Sequence, residues 1–142
     1  MKDIVEEVFK YWKDINCARA AANGILDFYD YPEYGKVMNK AFLPFGGGVG
    51  ERSICGAVLG ALPALSFLLS EKGLINEDIG LKTNYFKKRF REKVGTIYCR
   101  EIILDFIQPD GSVDMDNPER RKLCDKAVGT VALIVKEIID SI

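Results

Sequence analysis

From Pro44 to Leu69 the chain reads Pro44-Phe45-Gly46-Gly47-Gly48-Val49-Gly50, then Glu51-Arg52-Ser53-Ile54-Cys55-Gly56-Ala57-Val58-Leu59-Gly60, then Ala61-Leu62-Pro63-Ala64-Leu65-Ser66-Phe67-Leu68-Leu69. Four glycines among positions 46–50 destabilise any regular element, so this part is a loop. The apolar run from Ile54 to Leu69 that follows has no alternation and therefore does not read as a half-buried strand. It falls short of the roughly 20 residues a membrane span needs, and Gly56, Gly60, Pro63 and Ser66 interrupt it. It reads as a buried central helix from Ser53 to about Lys72. Gly73 is its C′ stop, and Pro63 is expected to bend it. A helix apolar on every side must be surrounded by other helices.

The flanking segments supply them. Residues 2–14 read as a helix: Asp3 and Glu6 have capping-box spacing, and Val5, Val8, Phe9, Trp12 and Ile15 share one face. Asn16 can cap a second helix carrying Cys17, Ala18, Ala20, Ala21, Ala22, Ile25 and Leu26. Pro32 can begin a third, running to about Phe42. After Gly73, Asn76 is expected to cap a helix with Ile79, Phe86, Phe90 and Val94 on one side, closed by Gly95. A shorter helix is expected from Thr96 to about Phe106. Asp110-Gly111 marks a turn in a polar loop. Asn117 with Pro118 then opens the last helix, which runs to about Asp140. The expected fold is all-α: one domain over residues 1–142, six or seven helices, and a glycine-rich loop before the central helix.

Composition narrows the chemistry. The 142 residues carry 20 Lys and Arg against 21 Asp and Glu, a net charge of −1. That balance argues against a general nucleic-acid binder. There is no histidine. Ser-His-Asp and Cys-His catalysis, His-ligated haem and every imidazole zinc site are thereby excluded. The charged start, Met1-Lys2-Asp3-Ile4-Val5-Glu6-Glu7, lacks the apolar core of an export signal, so the cytoplasm is the expected location. Disulfides there are usually transient or catalytic.

Four cysteines remain: Cys17, Cys55, Cys99 and Cys124. No two form a Cys-x-x-Cys pair, so thioredoxin, zinc-ribbon and ferredoxin spacings are absent, and four small buried hydrophobes is one reading. Their helical addresses favour another. Cys17 follows the Asn16 cap, Cys55 lies two residues after Ser53, and Cys99 lies three after Thr96. At helix starts, free N–H groups and the dipole lower a thiol's pKa toward the thiolate, which is both nucleophile and metal ligand. Cys124 lies deeper in its helix. Gly56, Gly60 and Ala64 form a strip without side chains that another helix or a cofactor could approach. The Gly46, Gly47 and Gly48 amides could aim donors at thiolate or inorganic sulfur. The loop lacks the Lys-Ser/Thr ending of a phosphate-binding loop, so no nucleotide is expected.

Cys55-Gly56-Ala57-Val58-Leu59-Gly60 resembles the Cys-Gly-Ala-x-x-Gly core of the C_GCAxxG_C_C family, a group named as redox-active proteins. Asn16-Cys17-Ala18 resembles its first cysteine site, and Phe45–Gly50 its glycine-rich lead-in. Cys99-Arg100-Glu101 and Cys124 resemble its last two cysteine sites, in the same order. The resemblance covers nearly the whole chain and implies that the four cysteines act as one set in a redox role. A related helical domain accompanies haem in the split-Soret cytochromes. The Cys-x-x-Cys-His haem attachment is missing here, so haem does not carry over.

Two redox mechanisms follow. Cys17, Cys55, Cys99 and Cys124 could ligate an iron–sulfur cluster, with Gly46, Gly47 and Gly48 beside it, for electron transfer to a partner protein. Alternatively, Cys55 could act as nucleophile, with Cys17 or Cys99 resolving a mixed disulfide. Dispersed ligands suit the cluster better. A binding module with a structural four-cysteine zinc site is a further alternative. Elsewhere, Lys87, Lys88, Arg89, Arg91 and Lys93 read as the solvated face of an amphipathic helix. Asp110, Asp114 and Asp116 are in the wrong order around Gly111 for an EF-hand. Trp12, Tyr29, Tyr31 and Tyr34 read as core and rim aromatics, or as a homodimer surface.

Overall fold

In the computed structural model, which describes residues 2–13 and 15–142, Asp3 starts the first helix, α1 (Ile4–Trp12), by accepting the Val5 and Glu6 amides. The helix is shorter at both ends than the expected 2–14, and Asp14 lies outside the described residues. Asn16 caps α2 (Cys17–Phe28) by accepting the Arg19 amide at 3.0 Å, and Pro32 opens α3 (Pro32–Ala41). The last helix, α7 (Pro118–Asp140), has Asn117 as its cap and Pro118 in its first turn. These starts follow from side chains that satisfy orphan amides or need none.

The central helix, α4, spans Gly56–Glu71 and continues through Pro63. Gly73 ends it in a left-handed conformation (φ 87°). Its amide bonds Ser70 O at 2.9 Å, and Leu74 N bonds Leu69 O at 3.1 Å, which is a Schellman closure. The helix starts three residues later than expected, because residues 53–55 are not helical and pair with residues 97–99. Cys55 N donates to Ile97 O at 2.7 Å, and Cys99 N donates to Ser53 O at 2.6 Å around an antiparallel bridge between Ile54 and Tyr98. Two further expectations are corrected. Helix α5 (Asn76–Val94) has Ile75, not Asn76, at its cap. The expected 96–106 helix is a four-residue α6 (Cys99–Ile102) followed by a 3-10 turn, Leu104–Phe106. Thr96 spends its hydroxyl on Glu101 and the Tyr98 amide instead of capping a long helix.

Seven α-helices and no strand are thus present among the described residues, and the all-α expectation holds. Helix α2 packs on α1, α3 and α4, while α7 closes the other side against α1, α2, α4 and α5. Val8, Ile25, Leu26, Leu65, Leu69, Phe86, Phe90, Val131 and Val135 fill the space between them. Phe86 and Phe90 face that core, so the basic residues of α5 lie on its outer side, where Arg89 pairs with Glu92 and Glu137. No helix among the described residues is long and apolar enough to cross a membrane.

Candidate functional site: a cavity lined by four cysteines

The strip on α4 is occupied by α2. A Cβ on Gly60 would lie 2.0 Å from Ala18 O, and one on Gly56 would lie 2.3 Å from Cys17 Sγ. Only glycine lets the first turn of α2 sit this close, so the strip sets Cys17 directly over the start of α4. Cys17 is the first residue of α2, Cys55 the N-cap of α4, and Cys99 the first residue of α6. The backbone pairing of residues 53–55 with 97–99 holds Cys55 beside Cys99. Cys124 reaches the same place from the second turn of α7.

All four cysteines line one cavity of about 560 Å³, and all four are free thiols. Gly46 and Gly47 line it as well. Gly48 does not: its carbonyl accepts from Ser53 N and Ser53 Oγ, and a Cβ there would lie 2.4 Å from Ser53 N. The loop gets its shape from left-handed backbone at Gly47, Gly48, Val49, Gly50 and Arg52. For β-branched Val49, at φ 62°, this is a strained conformation. Trp12 forms part of the wall, under the guanidinium of Arg121, 4.0 Å from its ring centroid.

The expected lowering of the thiol pKa values is overturned. Burial pushes all four up: Cys17, Cys99 and Cys124 above the ordinary range, and Cys55 to about 12. Backbone amides do act in the expected direction at two of the thiols. The Gly47 amide of the glycine loop and the Ala18 amide of α2 oppose burial at Cys17, and the Ala57 and Val58 amides of α4 oppose it at Cys55. Desolvation simply outweighs them, since a thiolate loses more on leaving water than a few amides return.

Reactivity should follow. A thiol near 12 is ionised at pH 8 to roughly one part in ten thousand, against about a quarter for an ordinary thiol. In reduced, metal-free protein, iodoacetamide should therefore modify Cys55 at least about a hundredfold more slowly than in the urea-unfolded chain. The rate should still be climbing at pH 10. Equal folded and unfolded rates in peptide mapping would show that Cys55 is not buried as described.

Two side chains that sequence reasoning passed over belong to the cavity. Arg120 is only 3% exposed, and its Nη1 donates to Cys124 Sγ at 3.2 Å. Arg52 also lines the cavity, and its positive charge opposes the effect of burial on the Cys99 thiol. Both reach Met115 in the acidic loop: Arg120 Nη2 donates to Met115 O at 2.8 Å, and Arg52 Nη2 lies 3.8 Å from Met115 Sδ. Among the described residues, no three His, Cys, Asp or Glu side chains are placed to hold one metal ion between them.

Comparison with curated proteins and with solved structures finds no match. A family model described as "Putative redox-active protein (C_GCAxxG_C_C)" matches residues 15–138, a stretch that takes in all four cysteines, the glycine loop and both arginines. The chain therefore belongs to the C_GCAxxG_C_C family.

Proposed function

We propose that Cys17, Cys55, Cys99 and Cys124 ligate an iron–sulfur cluster and that the protein transfers electrons to a partner protein. The observation that carries this reading is the meeting of four sulfurs, dispersed in sequence, around one cavity. Sulfurs spread around a volume suit a polynuclear core in which each thiolate binds its own iron. They suit tetrahedral zinc less well, because zinc needs all four at about 2.3 Å from one point. An iron–sulfur core, when bound, supplies one-electron redox chemistry. The chain's part is to surrender four thiol protons to solvent on loading, to hold the thiolates with amide and guanidinium donors, and to exclude water. Four free thiols fit a reducing compartment, and the cytoplasm is the proposed site of action.

Thiol–disulfide exchange led by Cys55 is the second reading. The free state of all four thiols is compatible with it. Cys55, however, is the most buried of the four, and its thiol is pushed up to about 12, which makes it a poor attacking group.

Anaerobic purification, followed by reconstitution with ferrous iron and sulfide, tests the proposal. The expected product is brown, contains acid-labile sulfide and bleaches with dithionite. Colourless protein holding about one zinc per chain would replace the cluster by a structural site. Protein without metal that gains free thiols on reduction would favour the dithiol reading.

A further inference from the structure

Arg120 is a guanidinium buried inside the fold, and its Nε has no hydrogen-bond partner among the described residues. No carboxylate among those residues lies within ion-pair distance of it. The neighbouring Arg121, by contrast, is engaged with Asp125 and the Trp12 ring. A buried charge without a counter-charge costs several kcal/mol, so such a residue persists where something else compensates it. Arg120 lines the cysteine cavity and touches Cys124, and Arg52 takes the matching place at Cys99. The cavity is thus asymmetric. Backbone amides serve Cys17 and Cys55, and guanidiniums serve Cys99 and Cys124. Met115 ties both guanidiniums to the 110–117 loop.

We propose that Arg120, seconded by Arg52, is the counter-charge of an anionic, thiolate-bound group in this cavity and raises that group's reduction potential. The inference rests on the four-cysteine centre proposed above. A group held by four thiolates is anionic, and accepting an electron makes it more so. Fixed positive charge beside two of its sulfurs favours both retention and the reduced state. Arg120 acts through Cys124 and is a positioning residue.

The test compares Arg120→Met and Arg120→Lys with the unaltered protein. In reduced, metal-free protein, where the buried charge is uncompensated, Arg120→Met should raise the melting temperature by about 4 °C. After reconstitution with ferrous iron and sulfide, the same variant should lose iron to a chelator at least tenfold faster. Its midpoint in a dithionite titration should fall by about 59 mV, a tenfold change for one electron. Arg120→Lys should stay close to the unaltered protein in both readouts. Arg52→Gln, at a less buried position, should lower the midpoint in the same direction and tests the charge effect independently. A metal-free melting temperature that falls in Arg120→Met, or a midpoint that moves equally in the Met and Lys variants, overturns the proposal. Failure of the unaltered protein to take up iron and sulfide would instead sink the cluster reading. The melting comparison would then decide the role of Arg120 alone.

Discussion

Gly60→Ala is expected to destabilise the protein by about 3 kcal/mol or more. The added methyl would sit 2.0 Å from Ala18 O, a backbone atom in the middle of the core, so no side chain can rotate out of its way. Helices α2 and α4 would have to separate. Gly80→Ala, in α5, is the internal control, because a methyl there meets nothing within 4 Å. It should be neutral or stabilising by up to about 1 kcal/mol, from helix propensity alone. Urea denaturation followed by circular dichroism measures both. Gly60→Ala as stable as Gly80→Ala would mean that α2 and α4 do not meet on the glycine strip, and the placement of Cys17 would fall with it.

Each of Cys17→Ser, Cys55→Ser, Cys99→Ser and Cys124→Ser is expected to lose iron at least about tenfold relative to the unaltered protein after identical anaerobic reconstitution. Serine keeps the shape but is a hard, weakly acidic ligand for a soft iron–sulfur core. Folding should survive at Cys99 and Cys124, which are partly exposed, and suffer more at the buried Cys55. Iron and sulfide per chain, measured beside the far-ultraviolet spectrum, separate ligand loss from unfolding. A serine variant that keeps full iron, sulfide and visible absorption removes that cysteine from the ligand set.

Helix starts that use a side chain were legible from sequence. Asp3, Asn16 and Asn117 each accept amides at the ends they were expected to cap. Starts set by backbone pairing were not. Nothing local in Ser53–Cys55 or Ile97–Cys99 announces that the two segments bond each other, because that contact is made only when α4 and α5 bring them together. This is why the local pattern starts α4 too early and makes α6 too long. The absence of side chains at Gly56 and Gly60 was visible as a gap, but its occupant, the first turn of α2, was not.

At the site, the four cysteines were found by residue type and by family resemblance. Their ionisation is not legible in sequence, because helix-start effects can be read locally, whereas burial cannot. Arg120 had left a signal: it stands four residues before Cys124 on one helix face and shares its neighbourhood. Arg52 left none, since its approach to Cys99 depends on a left-handed backbone at its own position.

The reciprocal amide bonds between Ser53–Cys55 and Ile97–Cys99 also govern when the centre can be completed during synthesis. A growing chain that has emitted α4 offers only Cys17 and Cys55. Cys99 joins them after α5 has emerged and folded back, and Cys124 only with the C-terminal helix. Loading of the cluster proposed above would therefore be a finishing step on an already assembled polypeptide. A nascent chain exposed early to iron has half a nest to offer.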